Sequence, residues 1–339
     1  MANAPKRRDS LIEFRRDPVS GDWVLVSTKI QKKPVLFTRP EIKPLPKSKC
    51  PFENLQKSGH EETLLWLPRA GKNNFADWWL QVLINKYPVV IKHKICSSVS
   101  KKGIFESTPG NGSQELVVMR DHTRPFALMT KEEIKLILNA YEIRYHALRT
   151  EPCVKYILII HNSGSRAGAT VPHPHSQIFA IPIIPPDVQR SLDGSKNYFH
   201  QNKRCVHCDI LKWEMKEKER VIYKNNSFVV LAPYASRVAY ELRIFPVRHE
   251  SRFEIIGEKE KNDLADALQT TLSRIYKILK NPDYNFFIHT APPKEAHSDH
   301  YHWHLEILPR VATWGGLELG AGIEVIKTAP EETAKLLRK

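Results

Sequence analysis

The sequence predicts an α+β protein in which one antiparallel-sheet unit is used twice. Three observations predict it. First, a cysteine motif, a single histidine and a histidine pair recur in the same order. They are Cys50-Pro51-Phe52-Glu53, His122 and His173-Pro174-His175, then Cys205-Val206-His207-Cys208, His249 and His302-Trp303-His304. Second, the interval from the middle histidine to the pair is nearly constant, 51 positions from His122 to His173 and 53 from His249 to His302. Third, each interval holds a helical period followed by a β-rich apolar run, the order expected of a repeated α+β unit.

The elements follow in chain order. Thr130 and Glu133 form a capping-box pattern, and Ile134, Ile137, Leu138, Tyr141 and Tyr145 then lie along one helix face. The run VKYILIIHN (154–162) reads as a strand leading to the first histidine pair. The polar, Pro-containing stretch from about Ile183 to Lys203 reads as a linker, which divides the chain into units 1–190 and 191–339. In the second unit Leu264, Leu268, Leu272, Ile275 and Leu279 mark a helix from about Glu258 to Leu279, and YNFFIHT (284–290) is its following strand. A last helix begins at Pro330, a residue suited to a first turn.

Composition narrows the class. At 41% hydrophobic residues, with no apolar run near the ~18 residues of a membrane span, the chain is expected to be soluble and off the membrane. The basic start MANAPKRRDSLIEF lacks the apolar stretch of a secretory leader, so a cytoplasmic protein is expected. Five scattered cysteines argue against a disulfide framework, and Cys96 and Cys153 read as buried structural thiols. The net charge of +15 calls for anionic partners. Nucleic acid would satisfy it, as would a phosphorylated small molecule, but the basic residues form no long block and no nucleic-acid motif stands out.

Cys205, Cys208, His249 and His302 form a Cys₂His₂ set suited to closed tetrahedral zinc. The first unit offers Cys50, Glu53, His122 and His173, with a carboxylate in place of the second cysteine. Two zinc ions per chain are expected, and loss of the first site with its shape kept by packing is the alternative. If His173 faces a metal from a strand, His175 faces the same side, because side chains alternate with period two. A neutral imidazole there can attack phosphorus and carry a covalent intermediate. Asn162, the loop 164–170 with Arg166 and Thr170, and Gln177 would offer donors to phosphoryl oxygens. On spacing alone, a second metal ligand or a structural strand histidine is equally served by His175.

The stretch HNSGSRAGATVPHPHSQIFA resembles the active-site segment of the galactose-1-phosphate uridylyltransferase family, a branch of the histidine-triad superfamily. RRDPVSGDWVLVS, VLINKYP, FIHTAP and HYHWHLEILPR extend the resemblance along nearly the whole chain. It implies two tandem histidine-triad-like domains and a ping-pong nucleotidyl transfer through His175, with Gln177 holding phosphoryl oxygens. UDP-glucose and galactose 1-phosphate are the implied substrates. Asn85 matches a nucleoside contact, Asn162 and Thr170 match phosphate contacts, and Glu318 matches a sugar contact. Cys50, His122 and His173 match zinc ligands, and a homodimer with shared active sites is implied, although two similar halves could satisfy the interface internally. The family's paired arginines appear here as Ile30 and Lys33, leaving Lys33 as the substrate-binding candidate. Ser176, assigned to substrate as well, the stretch SLDGSKNYF and the second Cys pair resemble the plant ADP-glucose phosphorylase branch, so adenylyl transfer is the alternative chemistry. His304, in the sequence HYHWHL, is a rival nucleophile with Glu306 where the first unit has Gln177. A non-catalytic, zinc-stabilised nucleotide- or nucleic-acid-binding protein is the reading from another class.

Overall fold

The computed structural model describes residues 12–28, 45–60, 63–69, 71–93, 95–96, 99–295 and 298–339. A hairpin of β1 (Ile12–Arg16) and β2 (Trp23–Ser27) opens the chain. The first half continues with β3 (Thr63–Pro68), β4 (Trp78–Ile84), β5 (Ser100–Lys102), β6 (Phe105–Ser107), β7 (Ser113–Met119), α1 (Lys131–Leu148), β8 (Tyr156–Ser163) and β9 (His175–Ile181). The second holds α2 (Pro186–Asn202), α3 (Val206–Glu217), β10 (Val221–Lys224), β11 (Phe228–Leu231), β12 (Leu242–Pro246), α4 (Glu258–Ile278), β13 (Tyr284–His289) and β14 (His304–Pro309). It ends with α5 (Gly316–Ala321), β15 (Glu324–Ile326) and α6 (Pro330–Leu337).

The repeat is visible in the sheet. Ten antiparallel strands run in the order β10-β11-β12-β14-β13-β8-β9-β7-β4-β3. Each half contributes five, and the halves join edge to edge where β13 pairs with β8. Read outward from that seam, β8, β9, β7, β4 and β3 correspond to β13, β14, β12, β11 and β10. Helices α1 and α4 pack on each other and cover one face, and a single apolar core spans both halves there, from Trp79 and Tyr141 to Leu268 and Trp303. Joining edges in this way removes two exposed strand borders from the middle of the molecule. The opposite face carries His175 and His304.

Local sequence explains the helices. Both halves of the Thr130–Glu133 capping box form, and the predicted apolar face of α1 is the buried one. Helix α4 buries Leu264, Leu268, Leu272 and Ile275, and α6 starts with Pro330 in its first turn. The stretch read as a linker is instead mostly helix α2, whose Val188, Leu192 and Ser195 are buried. Its apolar stripe is too narrow to announce a helix. Tertiary contact completes it: a Cβ on Gly194 would meet the Val19 carbonyl oxygen at 1.7 Å, so only glycine lets this helix lie against the N-terminal hairpin. Among the described residues, no helix is long and apolar enough to cross a membrane.

One cysteine expectation is corrected. Cys96 is exposed and Cys153 partly exposed, and they form a disulfide across 57 positions, so they are not buried thiols. The partners come from a loop between β4 and β7 and from the turn before β8, segments whose proximity the one-dimensional spacing does not disclose.

Candidate active site and metal centres

Strand β9 begins at His175, so the pair His173-Pro174-His175 sits where a loop becomes a strand. His173 Nε2 lies 2.6 Å from the Met119 carbonyl oxygen, and His122 Nε2 lies 2.6 Å from the Leu45 carbonyl oxygen. A carbonyl only accepts, so both protons are on Nε2 and both Nδ1 atoms are bare. These two lone pairs face each other at 3.3 Å, with Cys50 Sγ 3.4 Å from His173 Nδ1. Two bare nitrogens and a thiol converging on one point are complementary to a cation, and backbone carbonyls fixing the far ring nitrogens are the usual support of such ligands. The three donor atoms lie within 4.8 Å of one another. Glu53 is beside them, its Oε2 3.2 Å from His122 Nδ1, while its Oε1 reaches Lys47 Nζ at 3.4 Å.

The second cluster repeats the device with a fuller donor set. Cys205, Cys208, His249 and His302 lie within 4.8 Å of one another. His302 Nε2 donates to the Pro246 carbonyl oxygen at 3.1 Å, which leaves Nδ1 facing Cys208 Sγ at 3.6 Å, and His249 Nδ1 lies 3.2 Å from the same sulfur. Both clusters therefore fit a metal by the chemistry of their donors, and the donor types are those of zinc.

His175 is oriented differently from His173. Its Nδ1 donates to the His173 carbonyl oxygen at 2.8 Å, which fixes the tautomer and leaves Nε2 with the lone pair. The ring is 6% exposed, with Phe52 edge-on at 5.0 Å. Burial pushes its pKa below the ordinary 6.5, so the imidazole is neutral at neutral pH. A neutral ring with a fixed Nδ1–H and a bare Nε2 is a nucleophile for phosphorus. The metal cluster lies behind it, through His173, and takes no nitrogen of His175.

Alternation of β9 decides which neighbours share this face. Gln177 does, and it is half-buried. Asn162 does as well: the β8–β9 register, continued one step past His161↔Ser176, sets it opposite His175. Asn162 Oδ1 accepts from Asn285 Nδ2 at 2.8 Å. Asn85 follows β4 and donates its N–H to the Gln114 carbonyl oxygen at 2.8 Å, on the strand next to β9. Ser176 is a correction. It is fully buried on the helix side, where it receives the Tyr141 hydroxyl at 2.5 Å, so it points away from substrate. Burial pushes the Tyr141 phenol well up, which keeps it a donor.

The loop after β8 is tighter than its glycines suggest. The N–H groups of Ala167, Gly168 and Ala169 bond within the loop, and Arg166 N–H donates to Asp283 Oδ2 at 2.9 Å. They are not free phosphate donors. Gly164, at φ 88°, is required because a Cβ would meet the Asp283 carboxylate at 2.0 Å. The exposed Arg166 side chain and Thr170 remain at the rim. Glu318 Oε2 accepts the Gly315 N–H at 2.8 Å and caps α5. That helix leads into β15, which pairs with β2 in a separate three-stranded sheet. One chain thus does not bring Glu318 to the His175 sheet by strand pairing. Lys33 lies outside the described residues.

Both halves match models of one family. The galactose-1-phosphate uridyl transferase N-terminal domain matches residues 3–185, and its C-terminal domain matches residues 191–336. The chain belongs to the galactose-1-phosphate uridyl transferase family. Membership makes it a nucleotidylyltransferase. Within the family, it is 33% identical over 333 residues to the ADP-glucose phosphorylase of Arabidopsis thaliana, covering 96% of this chain and 92% of that protein. It is 28% identical over 338 residues to the galactose-1-phosphate uridylyltransferase of Thermotoga maritima, covering 97% and 98%. A crystal structure of the Arabidopsis ADP-glucose phosphorylase with bound ADP-glucose superposes with TM-score 0.81 at 30% identity, over 97% of this chain and 98% of that one. A uridylyltransferase structure gives 0.74 at 27% identity, over 97% of both.

Sequence reasoning missed two residues beside the candidate site, Phe52 against the His175 ring and Gln114, which bonds Gln177. The repeat held the signal for Gln114: it precedes His122 by the same 8 positions that separate Glu241 from His249. A cavity of about 430 Å³, lined mostly by second-half residues such as His207, Trp213, Tyr234 and Phe245, contains none of residues 173–177.

Proposed function

We propose that the protein transfers a nucleotidyl group from a nucleotide sugar to a phosphate acceptor through a covalent intermediate on His175. The carrying observation is the His175 ring itself: Nδ1–H tied to the His173 carbonyl, Nε2 bare, beside Gln177. In the first step Nε2 bonds the α-phosphorus and the bond to the sugar 1-phosphate oxygen breaks, releasing sugar 1-phosphate. In the second, an acceptor phosphate oxygen bonds the same phosphorus and the P–N bond breaks, restoring His175. Gln177 donates from its NH₂ to a phosphoryl oxygen as charge shifts onto it. Asn85 receives the nucleoside, Asn162, Arg166 and Thr170 flank the phosphates, and Glu318 meets the sugar from a second copy in a homodimer. Zinc occupies both clusters, Cys50, His122 and His173 with Glu53, and Cys205, Cys208, His249 and His302. When bound, it supplies structural cross-linking of loop and strand.

The principal form of this reaction is hexose-1-phosphate uridylyl transfer from UDP-glucose, the activity named for most of the curated relatives. A second form, adenylyl transfer from ADP-glucose to phosphate, is favoured by the 33% identity to the plant phosphorylase. Incubation with UDP-glucose or ADP-glucose labelled at the α-phosphate decides between them. Acid-labile label on the protein from UDP-glucose supports the first, and label from ADP-glucose alone supports the second. A His175→Asn protein that still accepts label removes His175 from its role.

A further inference from the structure

We propose that Gln114 is a positioning residue that fixes which end of the Gln177 amide faces the phosphoryl group. The inference rests on the covalent His175 reading and adds a residue to it.

The orientation begins at a backbone donor of fixed polarity. Val89 N–H donates to Gln114 Oε1 at 2.9 Å. An amide that accepts at its oxygen presents its nitrogen on the other side, and Gln114 Nε2 lies 2.7 Å from Gln177 Oε1. Gln177 Oε1 is therefore occupied as an acceptor, and its own NH₂ is the end left for the cleft beside His175. The orientation passes from a main-chain N–H through one amide to the next, with no free rotor between them. Gln114 is only 5% exposed, so water does not supply a competing partner. Strand register places it within reach. Leu116 pairs with Gln177 across β7 and β9, and Gln114, two residues away, is the diagonal neighbour on the same face. Gln114 also accepts Asn85 N–H at its main-chain oxygen, so the turn after β4 and the phosphate-facing amide are held by one residue.

The second half shows what the same two positions do with different chemistry. By register Gln114 and Gln177 correspond to Glu241 and Glu306, since Leu116↔Gln177 and Arg243↔Glu306 are equivalent rungs. There the side chains are carboxyls that hydrogen-bond each other, and burial together with Glu306 pushes Glu241 up to about 8. The diagonal contact is thus a property of the fold, and the amide pair is what makes the first half present a donor.

Gln114→Glu tests this with the shape kept. Its ionised carboxylate still accepts from Val89 but cannot donate, so Gln177 turns its NH₂ toward residue 114 and offers its oxygen to the phosphoryl group. Protonated, the same carboxyl donates to Gln177 as the amide did. We expect the rate of His175 labelling at pH 9 to fall about 100-fold relative to wild type, with nucleotide-sugar Kd changed less than about 3-fold. The ratio of variant to wild type should recover at least about 10-fold by pH 6, and taking the ratio cancels the titration of His175 itself. Gln114→Met, which can neither donate nor be protonated, should be slow at both pH values. Labelling of Gln114→Glu at the wild-type rate at pH 9, or an equal deficit at both pH values, overturns the proposal while the His175 reading stands. A wild type that takes no label from any nucleotide sugar overturns both.

Discussion

His175 and His304 occupy equivalent places in one sheet, and each donates Nδ1–H to the carbonyl of the metal-cluster histidine two residues before it, at 2.8 and 3.2 Å. Tautomer and strand position are shared, so neither distinguishes one ring from the other. The surroundings do. His175 has Val118 and Asn162 on its neighbouring rungs, and Gln177 two residues on. At the matching places His304 has Phe245, stacked at 4.9 Å, His289, stacked at 5.1 Å, and Glu306. Burial disfavours an ionised Glu306, but Arg243 and Arg237 outweigh it and hold its pKa well below the carboxylate range. A carboxylate paired with two arginines thus stands at the place of the neutral Gln177 amide. That exchange, together with Val118 for Phe245 and Asn162 for His289, sets the surroundings of the two rings apart.

The comparison is broken most directly at the two histidines. His175→Asn should lower nucleotidyl transfer by about 10⁴-fold, and His304→Asn should leave it within about 5-fold, measured as label on protein and as turnover. Equal losses would mean that the second ring takes part. The metal clusters come next. Cys208→Ser should halve the zinc content found by metal analysis and lower unfolding free energy by on the order of 5 kcal/mol, because a closed structural site folds with its ion. Glu53→Cys, which gives the first cluster the donor set of the second, should raise its resistance to a chelator. Smaller again is Glu306→Gln. It removes one of the two buried carboxyls that pair with Arg243, whose contacts to Glu306 are 3.0 and 3.1 Å, and should cost about 3 kcal/mol in a denaturant titration while leaving transfer intact.

Much of this was legible because the repeat encodes itself in residues with few alternative uses. Cysteines and histidines at matching intervals brought out both clusters, and the period-two rule put His175 on the same side as His173. The same rule, applied to Ser176, would have withheld its assignment to substrate. What escaped were features that exist only across elements. The Cys96–Cys153 bond joins two loops, α2 depends on a glycine fitted against Val19, and the loop 164–170 satisfies its N–H groups internally. Glu318 shows a different limit, since a motif match carries a role without saying which chain's cleft the residue enters.

The smallest effect concerns the ring behind His175. His161 lies on the helix side of β8, stacked on Phe286 at 5.0 Å, and its Nδ1 donates to the His175 carbonyl oxygen at 2.9 Å. Burial pushes its pKa down to about 3, the nearby His175 ring adding to the shift. The sign follows from which state binds the proton. Unfolded, His161 protonates near its ordinary 6.5, whereas folded it stays neutral until pH about 3, so acidification favours the unfolded chain across that window. Between pH 7 and pH 5 this one residue should cost about 2 kcal/mol of stability. In the second half the equivalent position is Ile288, which has no proton to take. His161→Phe should therefore flatten the loss between pH 7 and pH 5 by about 2 kcal/mol in denaturant titrations, leaving the remaining slope to other buried histidines. An unchanged slope would mean that His161 already binds a proton in the folded protein, and its hydrogen bond to the His175 carbonyl would then be charge-assisted.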